Sequence, residues 1–274
     1  ISPTLANITL NGLERGLNRF LSEKLGSKAA DQRKVHLVRY ADDFVVTGDS
    51  RETLETLVKP WIVEFLRERG LQLSEEKTKI VHIDEGFDFL GWNFRKYNGK
   101  MLIKPNRKNV KAFYSKVSEV IRRSLSVPLE LLIRKLNPVL RGWAEYHKGV
   151  VAKATFSRLD HLIYWRLMRW GRRRHPRKSG KWVYAHYWQE TGSRRDFAVT
   201  LPEKNGDMRT LVLYRLADTK IVRHQKIKGE YNPFDPEWFA YAERLLTARM
   251  LQDIWDAQRL KLWMQQGGKC VLCE

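Results

Sequence analysis

The chain has few cysteines and no long apolar run, and each absence excludes a class of protein. Its two cysteines, Cys270 and Cys273, cannot hold a disulfide scaffold together, and so few fit a reducing compartment. No stretch approaches the roughly 18 consecutive apolar residues of a membrane span, and no signal peptide is recognisable, so no membrane partner is expected. The 31 acidic residues are outnumbered by 51 basic ones, which gives a net charge of +20.

The positive charge is concentrated in the middle of the chain. Residues 1–100 hold 16 basic and 15 acidic side chains, residues 101–190 hold 21 and 5, and residues 191–274 hold 14 and 11. Lysine and arginine attract polyanions through counterion release, so the middle segment predicts a nucleic-acid surface. The nearly neutral first segment favours a catalytic half, and the length predicts about two domains.

Two adjacent carboxylates, Asp42 and Asp43, lie between two β-prone runs, residues 35–40 and 44–47. The alternating β-branched and aromatic residues predict two strands joined by a turn that carries both carboxylates. Such a pair suits Mg²⁺, which prefers hard oxygen ligands and often binds through one or two carboxylates plus substrate phosphates. Asp also bonds its own backbone in ordinary turns. The pair therefore indicates either a magnesium site for nucleotidyl transfer or plain turn chemistry.

Four ordered segments resemble the conserved blocks of reverse transcriptases. Residues 1–7 (ISPTLAN) resemble the Ser-Pro-x-Leu-x-Asn stretch, and Tyr40-Ala41-Asp42-Asp43 resembles the catalytic Tyr-x-Asp-Asp box. Residues 73–78 (LSEEKT) and 87–92 (FDFLGW) are similar to the next two blocks, in the same order. The resemblance implies that Asp42 and Asp43 bind Mg²⁺ together with an upstream Asp. It also implies that template and nucleotide lie near Ser2, Pro3, Tyr40 and Ala41.

The same resemblance implies roles for Lys77 and for a four-residue block, Phe89, Leu90, Gly91 and Trp92. The resemblance places Lys77 near the leaving pyrophosphate, where it would neutralise charge or donate a proton. Most lysines beyond a Glu-Glu pair are ordinary surface residues, so that alternative stays open. The four-residue block corresponds to the primer grip, which holds the 3′ end near the metals, and a simple core hairpin is an equal alternative.

The middle segment narrows the resemblance. Residues 137–147 (NPVLRGWAEYH) and 170–176 (WGRRRHP) are similar to the maturase segment of group II intron-encoded proteins, which retroviral and retron reverse transcriptases lack. The chain is thus similar to a group II intron reverse transcriptase/maturase from residue 1 to about residue 190, and more loosely beyond. This implies intron RNA, DNA target, primer and dNTPs as partners, in a bacterial cytoplasm or an organelle.

In that family a further catalytic Asp and the fingers region lie upstream of the Ser-Pro block. We therefore expect this chain alone to lack one metal ligand and to be a weak or inactive polymerase. A separate N-terminal reverse transcriptase fragment is an expected partner if the protein is naturally split.

The predicted fold is α+β in three parts. Residues 1–104 are expected to form part of a polymerase palm with the primer-grip hairpin, residues 105–190 a helical thumb/maturase domain, and residues 191–274 a mixed C-terminal region. The first part should contain a helix over residues 54–66, kinked or started late by Pro60 and ended near Gly70. Strands are predicted at residues 80–83, 87–94 and 101–103, the last two joined by an Asn98-Gly99 turn.

Helices dominate the prediction for residues 107–186, over residues 110–121, 129–136, 139–146 and 156–170, with Asn137-Pro138 ending the second. We single out nine cations as candidate RNA contacts: Arg141, Arg166, Arg169, Arg172, Arg173, Arg174, Arg177, Lys178 and Lys181. Interleaved aromatic residues support them, because ring faces stack on unpaired bases. Those aromatic residues are Trp165, Trp170, Trp182, Tyr184, Tyr187 and Trp188. Trp143 and Trp170 are expected to pack in the core instead, since both lie on apolar helical stripes.

The tail predicts a hairpin over residues 197–201 and 211–216 with Asn205-Gly206 between them, then a helix over residues 238–255. Cys270 and Cys273 have the spacing of half a zinc site. The surrounding residues 268–273 (GKCVLC) resemble the opening of the His-Asn-His endonuclease domain of some group II proteins. Two ligands cannot complete a structural zinc site, so we expect a truncated domain without nuclease activity.

Two function classes follow. The first is an RNA-directed DNA polymerase in which Asp42 and Asp43 hold Mg²⁺. The second is a non-catalytic splicing factor whose helices bind folded intron RNA while the ribozyme performs the chemistry. The intact carboxylate pair favours the first class, and the expected lack of an upstream Asp favours the second for this polypeptide.

Overall fold

The chain divides into two units, residues 1–109 and 110–274. The computed structural model describes residues 2–203, 206–223, 226–228, 231–253, 261–262 and 264–267. Helices and antiparallel sheets occur in both units, which confirms a mixed α+β fold. No described helix has the length and apolar character that a bilayer crossing needs.

The first unit is built on short amphipathic helices. They are α1 (Ser2–Thr9), α2 (Leu13–Leu25), α3 (Ser27–Gln32), α4 (Arg51–Thr53) and α5 (Lys59–Arg67), with a π-helical turn, Leu54–Val58, between the last two. Leu13, Leu17 and Leu21 recur every four residues on one face of α2 and are buried. They share a core cluster with Ile62 and Leu66 of α5, so the apolar spacing of both helices is what joins them.

The predicted disturbance at Pro60 takes the form of a π-helical turn. The Lys59 N–H donates to the Leu54 carbonyl, five residues back, and Pro60 then lies in the first turn of α5. Proline costs little there, because the first turn of a helix has no intrahelical acceptor for its N–H. The expected stop is confirmed, since Gly70 has φ +67° and its N–H donates to Arg67.

Five strands complete the first unit: β1 (His36–Tyr40), β2 (Asp43–Thr47), β3 (Phe87–Phe89), β4 (Trp92–Tyr97) and β5 (Lys100–Pro105). β1 and β2 form one antiparallel pair, and β3, β4 and β5 form a three-stranded antiparallel sheet in chain order. The Asn98-Gly99 turn is confirmed, with φ +46° and +80° and Tyr97 paired with Lys100. Both positive φ values are typical of a type I′ turn.

The strand predicted at residues 80–83 is wrong. This segment has no regular structure, although the Lys96 N–H of β4 donates to the Ile83 carbonyl at 3.0 Å. The Ile80 carbonyl accepts from the Arg51 guanidinium at 3.0 Å instead of from a strand. A four-residue apolar run was too short to decide between a strand and a loop whose carbonyls are satisfied by side chains.

The second unit contains the helical part of the chain. Its helices are α6 (Arg107–Arg123, which begins in the first unit), α7 (Leu129–His147), α8 (Lys153–Arg174), α9 (Gly180–Tyr187) and α10 (Phe239–Asp253). Short 3₁₀ turns occupy Leu216–Asp218 and Pro236–Trp238. Leu136 and Leu140 of α7 and Phe156, Leu159 and Ile163 of α8 are among the buried residues of this unit.

The prediction of two helices separated by Asn137-Pro138 is wrong, because α7 continues through Pro138 to His147. Proline in a helix interior removes one hydrogen bond and costs about 3 kcal/mol. Leu136, Leu140 and Ala144 form a buried apolar stripe on both sides of Pro138, and their burial offsets that cost. The Asn137 amide also bonds the chain near residue 213, donating to the Val212 carbonyl and accepting from the Tyr214 N–H at 2.9 and 2.8 Å.

The predicted C-terminal hairpin is confirmed and has a third strand. β6 (Trp188–Glu190), β7 (Arg195–Pro202) and β8 (Met208–Val212) form an antiparallel sheet in chain order. Asn205 of the expected turn lies outside the described residues, and the chain leaves β8 at Val212 rather than at residue 216. The helix predicted at residues 238–255 begins at Phe239 and is described as far as Asp253.

Replacing Gly171 by alanine should destabilise the second unit. A Cβ there would lie 2.5 Å from the Val183 Cγ1 of α9, and Val183 is fully buried and cannot give way. We expect Gly171→Ala to lower the free energy of unfolding by about 1 to 3 kcal/mol in urea denaturation. Gly142→Ala in α7 is the matched control, because no described atom outside the helix's own backbone lies within 4 Å. It should stabilise by about 0.5 to 1 kcal/mol, and equal effects of the two changes would contradict this packing.

His147 should make stability depend on pH. Its ring is buried beside Trp143, with ring centroids 4.3 Å apart, and burial lowers its pKa from 6.5 to about 4. The unfolded state therefore takes up the proton first as the pH falls, and stability is lost progressively between about pH 6.5 and pH 4. Between pH 7 and pH 5 the wild type should lose about 2 kcal/mol more than His147→Gln in urea denaturation. Parallel pH profiles for the two proteins would refute this assignment.

Candidate functional site

The turn between β1 and β2 carries the two predicted catalytic carboxylates. Tyr40 pairs with Asp43, so Ala41 and Asp42 are the two residues of the turn. Both carboxylates are exposed, as is the Tyr40 ring. Ala41 has φ +53°, which a residue with a Cβ rarely adopts. The turn therefore presents Asp42 and Asp43 to solvent on a strained backbone.

Arg39 holds this turn in place, and sequence reasoning did not find it. Its Nη1 donates to the Ala41 carbonyl and to the Asn7 Oδ1, both at 2.9 Å. Asn7 lies in α1, the helix that begins with the predicted site residues Ser2 and Pro3. The guanidinium thus joins the first motif of the sequence to the second across 32 residues. Only the position of Arg39 next to the turn could have pointed to this role, because no local sequence pattern predicts its hydrogen bond to Asn7.

The carboxylate pair fits a magnesium site that substrate completes. The described residues contain no group of three or more His, Cys, Asp or Glu side chains arranged for a metal ion. Two adjacent carboxylates are nevertheless what Mg²⁺ commonly takes from a protein when substrate phosphates and water supply its other ligands. The donor set therefore matches a nucleotide-dependent site and does not match an all-protein metal cage.

The other predicted residues of the first unit lie in separate segments. Lys77 is exposed in a loop, and its side chain forms no hydrogen bond or ion pair with a described residue. The single strand predicted over residues 87–94 is wrong, because the block Phe89–Trp92 forms a turn between β3 and β4, with Leu90 at φ +48° and Gly91 at φ +79°. The Gly91 carbonyl accepts from the Asn106 N–H at 3.0 Å. A bulky residue with positive φ is a backbone outlier.

Strain separates the two motif turns from the ordinary hairpin turn of the same unit. The Asn98-Gly99 turn uses residues that tolerate a left-handed backbone, whereas Ala41 and Leu90 do not. Each such residue costs of the order of 1 to 3 kcal/mol and persists only where the surrounding structure enforces it. Lys34, which belongs to none of the motifs, has a similar φ of +48°, so strain makes these two turns candidate sites only together with their motif residues.

The nine candidate RNA-binding cations lie on or beside three helices of the second unit. Arg141 is on α7, Lys181 is on α9, and Arg177 and Lys178 are in the loop between α8 and α9. The remaining five are on α8: Arg166, Arg169, Arg172, Arg173 and Arg174. Most are exposed, and none of the nine forms an ion pair with a described residue. Arg141, Arg174 and Lys178 lie against aromatic rings. The other six have no ring contact or side-chain hydrogen bond with a described residue: Arg166, Arg169, Arg172, Arg173, Arg177 and Lys181. Their charges are therefore available to an external anion.

Other cations of the same unit are already neutralised. Arg122 and Arg123 pair with Glu119, whose pKa falls to about 2, mainly through its hydrogen bond with Arg122. Arg134 pairs with Glu130, and Lys148 pairs with Glu145. Three of the five carboxylates of residues 101–190 are thus used on cations outside the predicted set.

Arg174 differs from its neighbours because it holds the backbone. Its Nη1 donates to the carbonyls of Leu125 and Val127 in the α6–α7 loop, and its guanidinium lies 5.3 Å from the Trp170 ring centroid. Trp170 in turn donates its Nε1 hydrogen to the Ser124 carbonyl at 2.9 Å. Arg174 therefore fixes a loop, and it is the least available RNA contact of the nine.

The aromatic residues divide between core and surface. Trp170, Tyr187 and Trp188 are 3 to 5% exposed, which confirms the core position expected for Trp170. Trp143 is half-buried and stacks on Phe113 at 4.3 Å. Trp165 is 49% exposed on α8, and Trp182 stacks on His186 at 4.5 Å beneath the Lys178 ammonium. Trp165 is therefore the ring best placed for an external base, because Trp182 is already covered by His186 and Lys178.

His175 lies between the basic run and this aromatic surface. Its Nε2 is 2.7 Å from the Tyr187 hydroxyl. Desolvation lowers its pKa, and the nearby His186, Arg174 and Lys178 lower it further. Both effects favour the neutral ring, which is the hydrogen-bond partner of Tyr187. Cys270 and Cys273, the predicted half zinc site, lie outside the described residues, so that site stays a prediction.

Comparison with known families agrees with these two regions. Residues 1–94 match the family "Reverse transcriptase (RNA-dependent DNA polymerase)", and residues 110–188 match "Group II intron, maturase-specific domain". The chain therefore carries a reverse transcriptase segment followed by a maturase-specific domain. The chain is thus similar to reverse transcriptases in its first part and to group II intron maturases in its second.

Three curated relatives come from two Euglena species. Maturase-like protein 1 of Euglena gracilis is 31% identical over 97 residues, which cover 34% of this chain and 21% of the relative. Maturase-like protein 1 of Euglena longa is 30% identical over 87 residues, or 31% and 19% of the two chains. The ribosomal operon-associated A protein of Euglena longa is 24% identical over 131 residues, or 47% and 25%. The chain thus spans a quarter or less of the length of these relatives.

Proposed function

We propose that this chain serves a group II intron in two ways, by binding intron RNA and by taking part in RNA-directed DNA synthesis. The main support for the catalytic part is the strained Tyr40–Asp43 turn. Its two carboxylates are exposed, and Arg39 holds the turn in place through hydrogen bonds to Ala41 and Asn7. A turn used only to reverse the chain has no need of two juxtaposed carboxylates or of a strained alanine. The family matches on either side of residue 100 support both activities.

In the catalytic role, Asp42 and Asp43 would hold Mg²⁺, with the phosphates of an incoming dNTP supplying further ligands. Bound Mg²⁺ supplies charge stabilisation for the attacking and leaving oxygens of an in-line displacement. Arg39 acts as a positioning residue, because it fixes the carbonyl of the residue before Asp42. The exposed ammonium of Lys77 neutralises charge on departing pyrophosphate, and the turn Phe89–Trp92 holds the primer end.

In the binding role, the unpaired cations of α8, α9 and the loop between them contact intron RNA phosphates. RNA-protein affinity of this kind comes largely from counterion release, which needs cations that are not already paired. DNA target and primer strands, the other expected polyanions, would use the same chemistry during insertion of the intron. The Euglena relatives favour an organelle over a bacterial cytoplasm as the location.

A second candidate function is splicing assistance without polymerisation. Two curated relatives carry the name maturase-like, and the described residues supply two carboxylates rather than three. In this case the same basic surface binds intron RNA, and the Asp42–Asp43 turn has no catalytic part.

Primer extension on an RNA template with Mg²⁺ distinguishes the two candidates. We expect synthesis when a separately expressed upstream reverse transcriptase segment is added, and Asp42→Asn should reduce it by about 1,000-fold or more, since metal binding is worth several kcal/mol of barrier. Asp31→Asn is the matched control, because Asp31 is an exposed carboxylate of the same unit and its loss should leave synthesis unchanged. Synthesis that survives Asp42→Asn would remove this residue from the metal site. No synthesis with or without the added segment, alongside RNA binding, would favour the splicing role.

Neutralising Arg172 and Arg173 tests the RNA surface. The double variant Arg172→Gln/Arg173→Gln should weaken intron RNA binding and reduce the slope of log affinity against log salt by about 1.4 to 1.8. Its thermal midpoint should equal that of the wild type, because both side chains are exposed and unpaired within the described residues. Arg174→Gln should instead lower the thermal midpoint by releasing the α6–α7 loop. An unchanged salt slope in the double variant would show that RNA binds elsewhere.

A further inference from the structure

A cavity in the second unit has no part in the functions assigned so far. It has a volume of about 350 Å³ and lies among α8, α9, the β6–β8 sheet and residues 213–217. This volume is near the lower end of the range of about 300 to 1,000 Å³ found for small-molecule sites. It admits one flat ring system with its attached sugar and is too small for a helix. Five aromatic side chains line it: Tyr164, Tyr184, Trp188, Phe197 and Tyr214.

Three of these aromatic rings contact one another, one pair stacked and one pair edge-on. Tyr184 and Trp188 are stacked, with ring centroids 5.5 Å apart and planes inclined by 22°. Tyr164 meets Trp188 edge-on at 5.2 Å and 63°. The Arg195 guanidinium lies 5.6 Å from the Tyr184 centroid. Aromatic faces combined with a guanidinium are the chemistry by which proteins hold unstacked bases of single-stranded RNA.

The carboxylates of the cavity are already committed. Asp160 accepts from the N–H groups of Leu216 and Ala217 at 2.9 and 2.8 Å, and Asp196 accepts from Thr191 and Arg194. Neither is free to act as an acid or base on a bound molecule. Arg195, in contrast, is exposed and forms no ion pair with a described residue. The cavity is therefore built for binding, with one cation to spare for a phosphate.

Next to the cavity, one exposed face of α8 carries both arginine and aromatic side chains. Five exposed residues, spaced three or four apart, share one face of the helix: Arg158, His161, Trp165, Arg169 and Arg172. His161 lines the cavity and accepts the Trp165 Nε1 hydrogen at 3.1 Å. The exposed Trp165 ring thus lies beside the mouth. Residues 101–190 carry 21 basic and 5 acidic side chains, which complement a polyanion rather than a protein surface of mixed charge.

We propose that this cavity binds one unstacked base of a single-stranded RNA segment, while Trp165 stacks on a neighbouring base and Arg158, Arg169 and Arg195 contact the phosphates between them. The proposal rests on the RNA-binding function proposed above and gives it a preference for unpaired nucleotides. Arg172 and Arg173 then contact further phosphates of the same RNA strand, and these contacts do not depend on which base is present.

Two fluorescein-labelled probes of equal length and charge separate base binding from phosphate binding. One is octauridylate, whose bases do not stack on themselves, and the other is an abasic strand of eight units. The full chain should bind octauridylate at least about 5-fold more tightly than the abasic strand in fluorescence anisotropy, since base stacking on aromatic residues is worth about 1 to 3 kcal/mol per base. Tyr184→Leu should reduce this ratio by about 5-fold or more and leave abasic binding unchanged. Arg172→Gln/Arg173→Gln should weaken both probes and keep the ratio.

Ser157→Leu gives a second variant that does not disturb the core. Ser157 is exposed and lines the cavity, so a larger side chain obstructs the cavity from its rim. It should lower the ratio as Tyr184→Leu does, and 5-iodouridine in the probe should crosslink to Tyr164, Tyr184 or Trp188. Retained RNA binding with an unchanged ratio in both variants would overturn the cavity proposal alone. Failure of the wild type to bind either probe, or intron RNA, would overturn the RNA-binding function together with it.

Discussion

Hydrogen bonds from cationic side chains to loop carbonyls are the interaction on which both units depend. In the first unit Arg39 holds the Ala41 carbonyl, Arg51 that of Ile80 and Arg95 that of Asp84. In the second, Arg174 holds the loop carbonyls before α7, and Lys153 holds those of Ala217 and Thr219. A chain with 51 basic and 31 acidic residues cannot pair every cation with a carboxylate, so some of the surplus serves the backbone. A charged donor makes such a bond stronger than a neutral one.

The contrast between local patterns and contacts made by distant residues explains which features could be predicted from the sequence. Periodicity located α6, α8, the β1–β2 pair and the Asn98-Gly99 turn, because each is encoded by residues close together in the chain. It failed at Pro138, where buried side chains on both sides keep α7 continuous, and at residues 80–83, where a distant arginine satisfies the backbone. The candidate site shows the same contrast. Asp42 and Asp43 are visible as adjacent letters, whereas the Arg39–Asn7 bond spans 32 residues.

The run Arg172-Arg173-Arg174 shows that composition does not assign roles to individual cations. The three residues are identical in chemistry and adjacent in sequence, yet only Arg174 points to the α6–α7 loop and bonds it. The helical rotation of about 100° per residue sends consecutive side chains in different directions. A nucleic-acid surface on this helix is therefore a matter of which cations the fold leaves unused. The exposed face from Arg158 to Arg172 meets that condition, and the aromatic residues set into it give it more than charge.

The Asn137 amide hydrogen-bonds the backbone on both sides of residue 213, and these bonds cannot form until well after α7 has been synthesised. Its partner at Tyr214 follows it by 77 residues. At about 5 to 20 residues per second, a ribosome delivers that partner roughly 4 to 15 seconds later. During this interval the stretch of α7 around Pro138 lacks these two hydrogen bonds, while residues 138–190, which carry many of the basic side chains, are being synthesised. Intron RNA near the ribosome would thus meet the cations of α8 before the β7–β8 hairpin exists to close the unit behind them.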